Sequence, residues 1–255
     1  MQVWAVANQK GGVGKTTTTL CLARGLADSG RRVLVVDLDP HASLSHAFAI
    51  PVDPPPRGAY EVFTEAGASL ERLARPVSVD GLHLCPAQPA LATLERRGAT
   101  QPGLGLALGR ALQAARGSWD HVLLDCPPTL GVLMVNALAA ADRLIAPTQT
   151  DPLALHGLGD MLRTAQMVGR SRRRPLPHAV VPTLHDRRTR SGMQSLHTLR
   201  ERHGADVWPG AVPVDTRLRD ATALASGPLH GRGADAYREA LDWLLSPSTS
   251  KSEAA

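Results

Sequence analysis

The sequence predicts a doubly wound α/β fold, a mainly parallel sheet flanked by helices, and three observations carry that expectation. Short apolar runs such as Val3–Ala7, Val33–Val36 and Val122–Leu124 recur between segments of helical spacing. Continuous runs of this kind suit strands covered on both faces, the usual condition of a parallel sheet. The first run leads into a glycine-rich stretch, Asn8-Gln9-Lys10-Gly11-Gly12-Val13-Gly14-Lys15-Thr16-Thr17, after which helical spacing begins. The second and third runs end in carboxylates, Asp37-Leu38-Asp39 and Asp125. Charged groups at the carboxyl ends of parallel strands face the crevice where such folds hold their ligands.

Taken in order, the first strand and the glycine-rich stretch read as strand, phosphate loop, helix. Gly11, Gly12 and Gly14 let backbone N–H groups turn inward around an anion, Lys15 can reach the β and γ phosphates of a nucleotide, and the Thr16 hydroxyl is placed to ligand Mg²⁺. The helix that starts near Lys15 adds its positive dipole end. Gln9 stands where the plain pattern has glycine, and Lys10 puts a second cation inside the loop. Leu20, Ala23, Leu26 and Ala27 then carry a helix over Thr16–Ser29, with Gly30 where a C-terminal cap is wanted.

After the second strand, the prolines at 51, 54, 55 and 56 together with Gly58 require a loop. Val62–Leu73 reads as one short helix, Leu82–Pro86 as a strand, and Leu91–Arg116 as two helices interrupted around Gln101-Pro102-Gly103. The strand over Asp120–Asp125 delivers Asp125 to the sheet edge, where it can hold Mg²⁺ through water. No glutamate follows it, so a strong general base is missing there and slow hydrolysis is the expectation. A helix continues through Asn136–Ala141, Arg143–Pro147 is a strand, Thr148–Leu158 is a loop entering a helix, and Pro177–Pro182 is a strand. The last helix, Ala234–Leu245, packs through Tyr237, Leu241 and Leu244 and keeps Asp235, Glu239 and Asp242 on its polar side.

A chain of 255 residues with 43% apolar content can bury a sizeable core, and the expectation is a single domain over residues 1–246 with a flexible tail at 247–255. Cys21, Cys85 and Cys126 lack metal spacing and read as reduced core thiols of a cytoplasmic protein. No stretch reaches the ~18 apolar residues of a membrane span, and no export leader precedes the first strand. Net charge is +5, and of 28 cationic residues only Lys10, Lys15 and Lys251 are lysines. Ten arginines fall between Arg163 and Arg202, against Asp186 and Glu201 alone. Such a face attracts polyanions, nucleic acid above all. Any single arginine is equally well explained as a solvated or capping residue; the set carries the expectation.

Lys10-Gly11-Gly12-Val13-Gly14-Lys15-Thr16-Thr17 resembles the deviant Walker A loop of the ParA/MinD family of partitioning and positioning ATPases, a branch of the P-loop NTPases. The resemblance extends along nearly the whole chain and implies an ATP- and Mg²⁺-dependent ATPase whose slow hydrolysis a partner stimulates. It implies an ATP-dependent homodimer, with Lys10 reaching the nucleotide of the other subunit; a ligand within its own chain, or a solvated cation, is the alternative. Asp39 corresponds to the residue that orients the attacking water, and Asp37 to one that supports the metal and loop network. Asp125-Cys126-Pro127-Pro128 is similar to the switch II segment, and the residues around Pro213 and Asp215 to the adenine-side loop. His41 replaces a usual glutamine and reads as a surface group rather than a base.

Non-specific DNA binding is the further implication, with Arg187, Arg188, Arg190, Arg217 and Arg219 the candidate contacts. The implied location is nucleoid-associated or polar. The implied partner is a ParB-like protein or an adaptor of chemotaxis arrays, since Val-Trp-Ala-Val-Ala-Asn-Gln and Pro-Val-Asp-Thr-Arg-Leu-Arg-Asp most resemble the orphan ParA-type proteins that position such arrays. The acidic final helix argues against membrane attachment of the MinD type. A metabolic P-loop enzyme, of amidoligase or reductase-ATPase type, is the rival reading.

Overall fold

A computed structural model describes residues 1–51, 53–97 and 104–246. Its strands are β1 (Gln2–Val6), β2 (Val33–Asp37), β3 (Arg75–Pro76), β4 (Leu82–Cys85), β5 (His121–Asp125), β6 (Arg143–Gln149) and β7 (His178–Thr183). They form one sheet in the order β3-β4-β2-β5-β1-β6-β7, parallel except where β3 meets β4. The expected doubly wound α/β architecture is therefore present. β2, β5 and β1 lie side by side, with Asp37 opposite Asp125 and Asp125 opposite Val6. That order brings three motifs far apart in sequence to one stretch of the carboxyl edge.

Strand alternation divides the core into two layers. Val3, Ala5, Leu34, Val36, Val122 and Leu124 face one side, and Trp4, Val6, Val33, Val35 and Leu123 the other. The second layer is covered by α1 (Lys15–Asp28), α2 (Ser43–Ala47), α10 (Ala221–Ser226) and α11 (Arg232–Leu245). Leu20, Leu26, Tyr237 and Leu241 fill it, as the spacing in the first and last helices predicts. The first layer receives α3 (Ala59–Thr64), α4 (Leu70–Leu73), α5 (Leu91–Arg97), α6 (Ala107–Ala114), α7 (Val132–Ala140), α8 (Pro152–Ser171) and α9 (Arg190–His203).

The single helix expected over Val62–Leu73 is two. The first ends at Thr64, where Glu65 turns extended (φ −111°, ψ 126°); Gly67 follows in the left-handed region at φ +75°, and Ser69 restarts the chain by accepting the Arg72 amide at 3.4 Å. The two-residue β3, the short α2 and α10, and α9 carry too little apolar periodicity for the sequence to have marked them. The interruption expected at Gln101–Gly103 and the tail at 247–255 lie outside the described residues. Among the described residues no helix is long and apolar enough to cross a membrane. All three cysteines are buried and free, and burial pushes the Cys21 thiol up to about 12 and those of Cys85 and Cys126 higher still.

Candidate nucleotide-binding site

The phosphate loop runs from Asn8, at the end of β1, to Gly14, the residue that precedes α1. Gly12 and Gly14 have φ values of +74° and +89°, which an L side chain resists whatever the space around it. Asn8 closes the loop base: its Nδ2 donates to Pro147 O at 2.9 Å, and its Oδ1 accepts the Lys10 amide at 3.0 Å. Thr183 Oγ1 donates to Val13 O at 2.8 Å, and Gln9 Nε2 to Thr164 Oγ1 at 2.9 Å. The loop is thus pinned to β6, β7 and α8 while Gly11 and Gly12 stay exposed. Lys15 is 8% exposed and its Nζ donates to Lys10 O at 3.2 Å, folding the ammonium back over the loop. Burial lowers its pKa, and the charges of Asp125 and Asp39 oppose that.

Asp125 and Asp37 stand at the ends of adjacent strands, both almost wholly buried. Asp125 accepts Thr16 Oγ1 at 2.8 Å and Thr19 Oγ1 at 3.1 Å. Asp37 accepts the Ser45 amide and hydroxyl at 2.9 and 2.7 Å and the Asp39 amide at 3.1 Å. Desolvation pushes both carboxyl pKa values up; the Asp37 charge adds to the rise at Asp125, and the hydroxyl donors only partly offset it. Neither carboxylate is in an ion pair with a cation among the described residues. Two buried carboxyls, one of them bonded to the Thr16 hydroxyl, form an oxygen donor set that a divalent cation would keep ionised, which fits Mg²⁺. No group of three or more His, Cys, Asp and Glu that could hold a metal occurs among the described residues. Magnesium does not require one, since it commonly takes one or two carboxylates and completes its shell with phosphate and water.

This pair sets a pH dependence whose sign is fixed. A carboxyl whose folded pKa exceeds its unfolded 3.8 holds its proton more tightly when folded. Its contribution to stability is therefore present at low pH and lost as pH rises above the unfolded value. In nucleotide-free, magnesium-free protein, Asp125→Asn is expected to add about 0.5–2 kcal/mol at about pH 8, with the gain shrinking toward about pH 4. Urea unfolding at the two pH values measures this. A variant no more stable than wild type at the higher pH contradicts it.

Asp39 is half-buried beyond Asp37, and its Oδ1 accepts both the amide and Nδ1 of His41, at 3.0 and 2.9 Å. The His41 side chain is exposed, as a surface group should be. Lys10 Nζ lies 3.2 Å from Asp151 Oδ1 of its own chain. Asp151 also caps α8 by accepting the Leu153 amide, and although desolvation pushes its carboxyl up, the Lys10 ammonium and those amides hold it below the ordinary range. Pro213 bridges His185, and Asp215 spends both oxygens on backbone amides, Oδ1 on Arg217 and Oδ2 on Gly233. That leaves the main chain of this segment, rather than the Asp215 side chain, available to a base. Arg187, Arg188, Arg190, Arg217 and Arg219 are all exposed, and the Pro213–His185 bridge ties their two segments together.

Residues 1–177 match the AAA domain family. The chain is 40% identical to the chromosome-partitioning ATPase Soj of Thermus thermophilus over 242 residues, 92% of this chain and 91% of that one. It is 32% identical to the sporulation initiation inhibitor protein Soj of Bacillus subtilis over 247 residues, 92% and 95% of the two chains. The chain belongs to the ParA/MinD family of ATPases. Among solved structures, cobyrinic acid a,c-diamide synthase of Mycobacterium smegmatis with bound ATP analogue and magnesium superposes with a TM-score of 0.85 at 35% identity, over 99% of this chain and 98% of that one.

Several residues that complete this ParA/MinD-family site belong to no local sequence motif for nucleotide binding. Thr19 and Ser45 support the two buried carboxylates, Asp151 holds Lys10, and Thr183 anchors Val13. Glu95 of α5 accepts the Leu133 amide at 3.1 Å and so caps the helix after Asp125-Cys126-Pro127-Pro128. Asp151-Pro152 was visible as a helix start, an N-cap followed by proline. Its role toward Lys10, 141 residues away, follows only from β1 and β6 being neighbours.

Proposed function

We propose that this chain is a ParA-type positioning ATPase that dimerises with ATP, binds DNA without regard to sequence, and is released when a partner stimulates hydrolysis. The observation that carries the reading is the juxtaposition of Lys15, Thr16, Asp37 and Asp125 across three adjacent strand ends, with Lys10 and Asp39 beside them. ATP as substrate and Mg²⁺ as its companion agree with the ATPase name of the Thermus relative and with the nucleotide and magnesium in the Mycobacterium structure.

In this reading the amides of Gly11 to Thr17 and the Lys15 ammonium hold the phosphates, Thr16 and Asp125 hold Mg²⁺, and Asp37 supports them through its network. The metal supplies charge neutralisation at the phosphate oxygens. Asp39 orients water, and with no glutamate after Asp125 no stronger base helps it, which keeps hydrolysis slow. Lys10 leaves Asp151 for the nucleotide of the second subunit; the ion pair it gives up is half-exposed and costs only about 0–1 kcal/mol. Pro213 and Asp215 border the adenine with main-chain groups. The exposed arginines offer phosphate contacts, doubled on one surface by dimerisation. The cargo is a chromosome or plasmid centromere complex or a polar chemotaxis array, reached through a ParB-like or array-adaptor partner, with no membrane attachment.

The name of the Mycobacterium structure favours a second reading, ATP-driven amide synthesis. Glutamine-dependent amidation needs a reactive thiolate or a separate ammonia source. All three thiols here are buried and pushed up in pKa, so the chain has no such nucleophile of its own. Size exclusion with ATP tests the preferred reading: Asp39→Ala should retain ATP and accumulate as dimer, because binding contacts survive while the chemical step is lost. A variant that binds ATP yet stays monomeric refutes the ATP-dependent dimer.

A further inference from the structure

Two buried polar side chains join the nucleotide end of the sheet to the arginine segment, and the site described above uses neither. Thr150, just after β6, is 6% exposed, and His185, just after β7, is 4% exposed. Thr150 Oγ1 and His185 Nδ1 are hydrogen-bonded at 3.1 Å, and the Thr150 amide donates to Thr183 O at 3.2 Å. A Cβ placed on Gly192 would lie 3.7 Å from the same Thr150 hydroxyl, so the first turn of α9 rests against it.

His185 is where the arginine-bearing segments meet. Its amide donates to Val212 O at 2.9 Å and its carbonyl accepts the Val214 amide at 3.2 Å, which clamps the strand of chain leading to Arg217 and Arg219. Asp186 follows at once and holds Arg188 through bonds of 3.0, 2.9 and 2.8 Å. The Asp186 carbonyl accepts Thr189 Oγ1 at 3.0 Å, and that hydroxyl caps α9 beside Arg190. At the other end, Asp151 is the residue after Thr150 and holds Lys10, while Thr183 holds Val13 of the phosphate loop.

We propose that the Thr150–His185 hydrogen bond is the link through which the position of Lys10 and Asp151 sets the geometry of both arginine segments, so that nucleotide state is read out as affinity for DNA. The proposal rests on the DNA face described under the proposed function. When Lys10 moves from Asp151 to phosphate, the turn between β6 and α8 loses one of its side-chain holds, and Thr150 carries that change to His185. A buried bond suits the task, because losing one partner leaves the other unsatisfied and the pair moves as a unit. The pair is a direct, buried contact between the two ends, and the coupling requires that nucleotide and DNA both bias its geometry.

The test uses the full chain as wild type, Thr150→Val, which keeps shape and removes the hydroxyl, and Thr150→Ser, which keeps the hydroxyl. ATP affinity, ATP-driven dimerisation, DNA affinity and hydrogen exchange of the amides at 185–190 are measured with and without ATP. Wild type should show an ATP-induced exchange change at 185–190. Thr150→Val should bind ATP and dimerise, lose that change, and bind DNA about tenfold more weakly with ATP; Thr150→Ser should restore both. His185→Phe removes the bond from the other side and is held to the same outcome, which covers a Val variant that does not fold. A wild-type exchange response retained in Thr150→Val and His185→Phe overturns the link, as does a wild type with no response. A wild type that responds to ATP at 185–190 but binds no DNA leaves the link standing and removes the DNA reading instead.

Discussion

Replacing Lys15 by alanine is expected to raise the Kd for ATP on the order of a hundredfold or more, the largest single effect the site predicts. Its ammonium is folded back over the phosphate loop at 8% exposure, so little reorganisation separates it from the phosphates. Charge-assisted bonds of this kind are worth about 1.5–3 kcal/mol each, and two phosphates share it. Lys10→Ala should behave differently. That side chain sits in a half-exposed pair with Asp151, so its loss leaves ATP affinity within about tenfold and the fold intact while dimerisation fails. Titration with a fluorescent ATP analogue, alongside size exclusion with ATP, separates the two. Equal loss of affinity in both variants would make Lys10 a ligand within its own chain.

Reversing charge at two arginines should abolish DNA binding without touching the nucleotide cycle. Arg187 and Arg217 come from the two segments that the His185–Pro213 bridge joins, and both are exposed. In a dimer Arg187→Glu with Arg217→Glu changes four positions on one face, which replaces attraction to phosphate by repulsion. Neither residue has a hydrogen bond to the phosphate loop, so ATP-driven dimerisation should persist. A double variant that still binds DNA with wild-type affinity moves the interface elsewhere.

How much was legible in the sequence depended on whether a signal was local. The phosphate loop, the strands that end in Asp37 and Asp125, and the packing face of α11 are written in contiguous residues: glycines where φ is positive, apolar runs before carboxylates, and Tyr237, Leu241 and Leu244 at helical spacing. α9 was not, because its buried positions are Gly192, Ser195, Leu196 and Leu199, and two leucines in 14 residues make a faint stripe. Gly67 inside the expected Val62–Leu73 helix was a readable warning of the break found there. The contacts of Lys10 with Asp151 and of Thr150 with His185 join residues 141 and 35 positions apart. They follow from strand order, which no local pattern encodes.

In the proposed cycle, ATP converts this chain into a sequence-independent DNA binder. The most direct measurement is a salt series of wild-type binding to unrelated duplexes, with and without ATP. If the dimer neutralises ~6 phosphates, raising salt from about 50 to about 200 mM should weaken ATP-dependent binding on the order of a thousandfold, equally for every sequence. Binding that is absent with ATP at low salt, or that is the same without nucleotide, would contradict it.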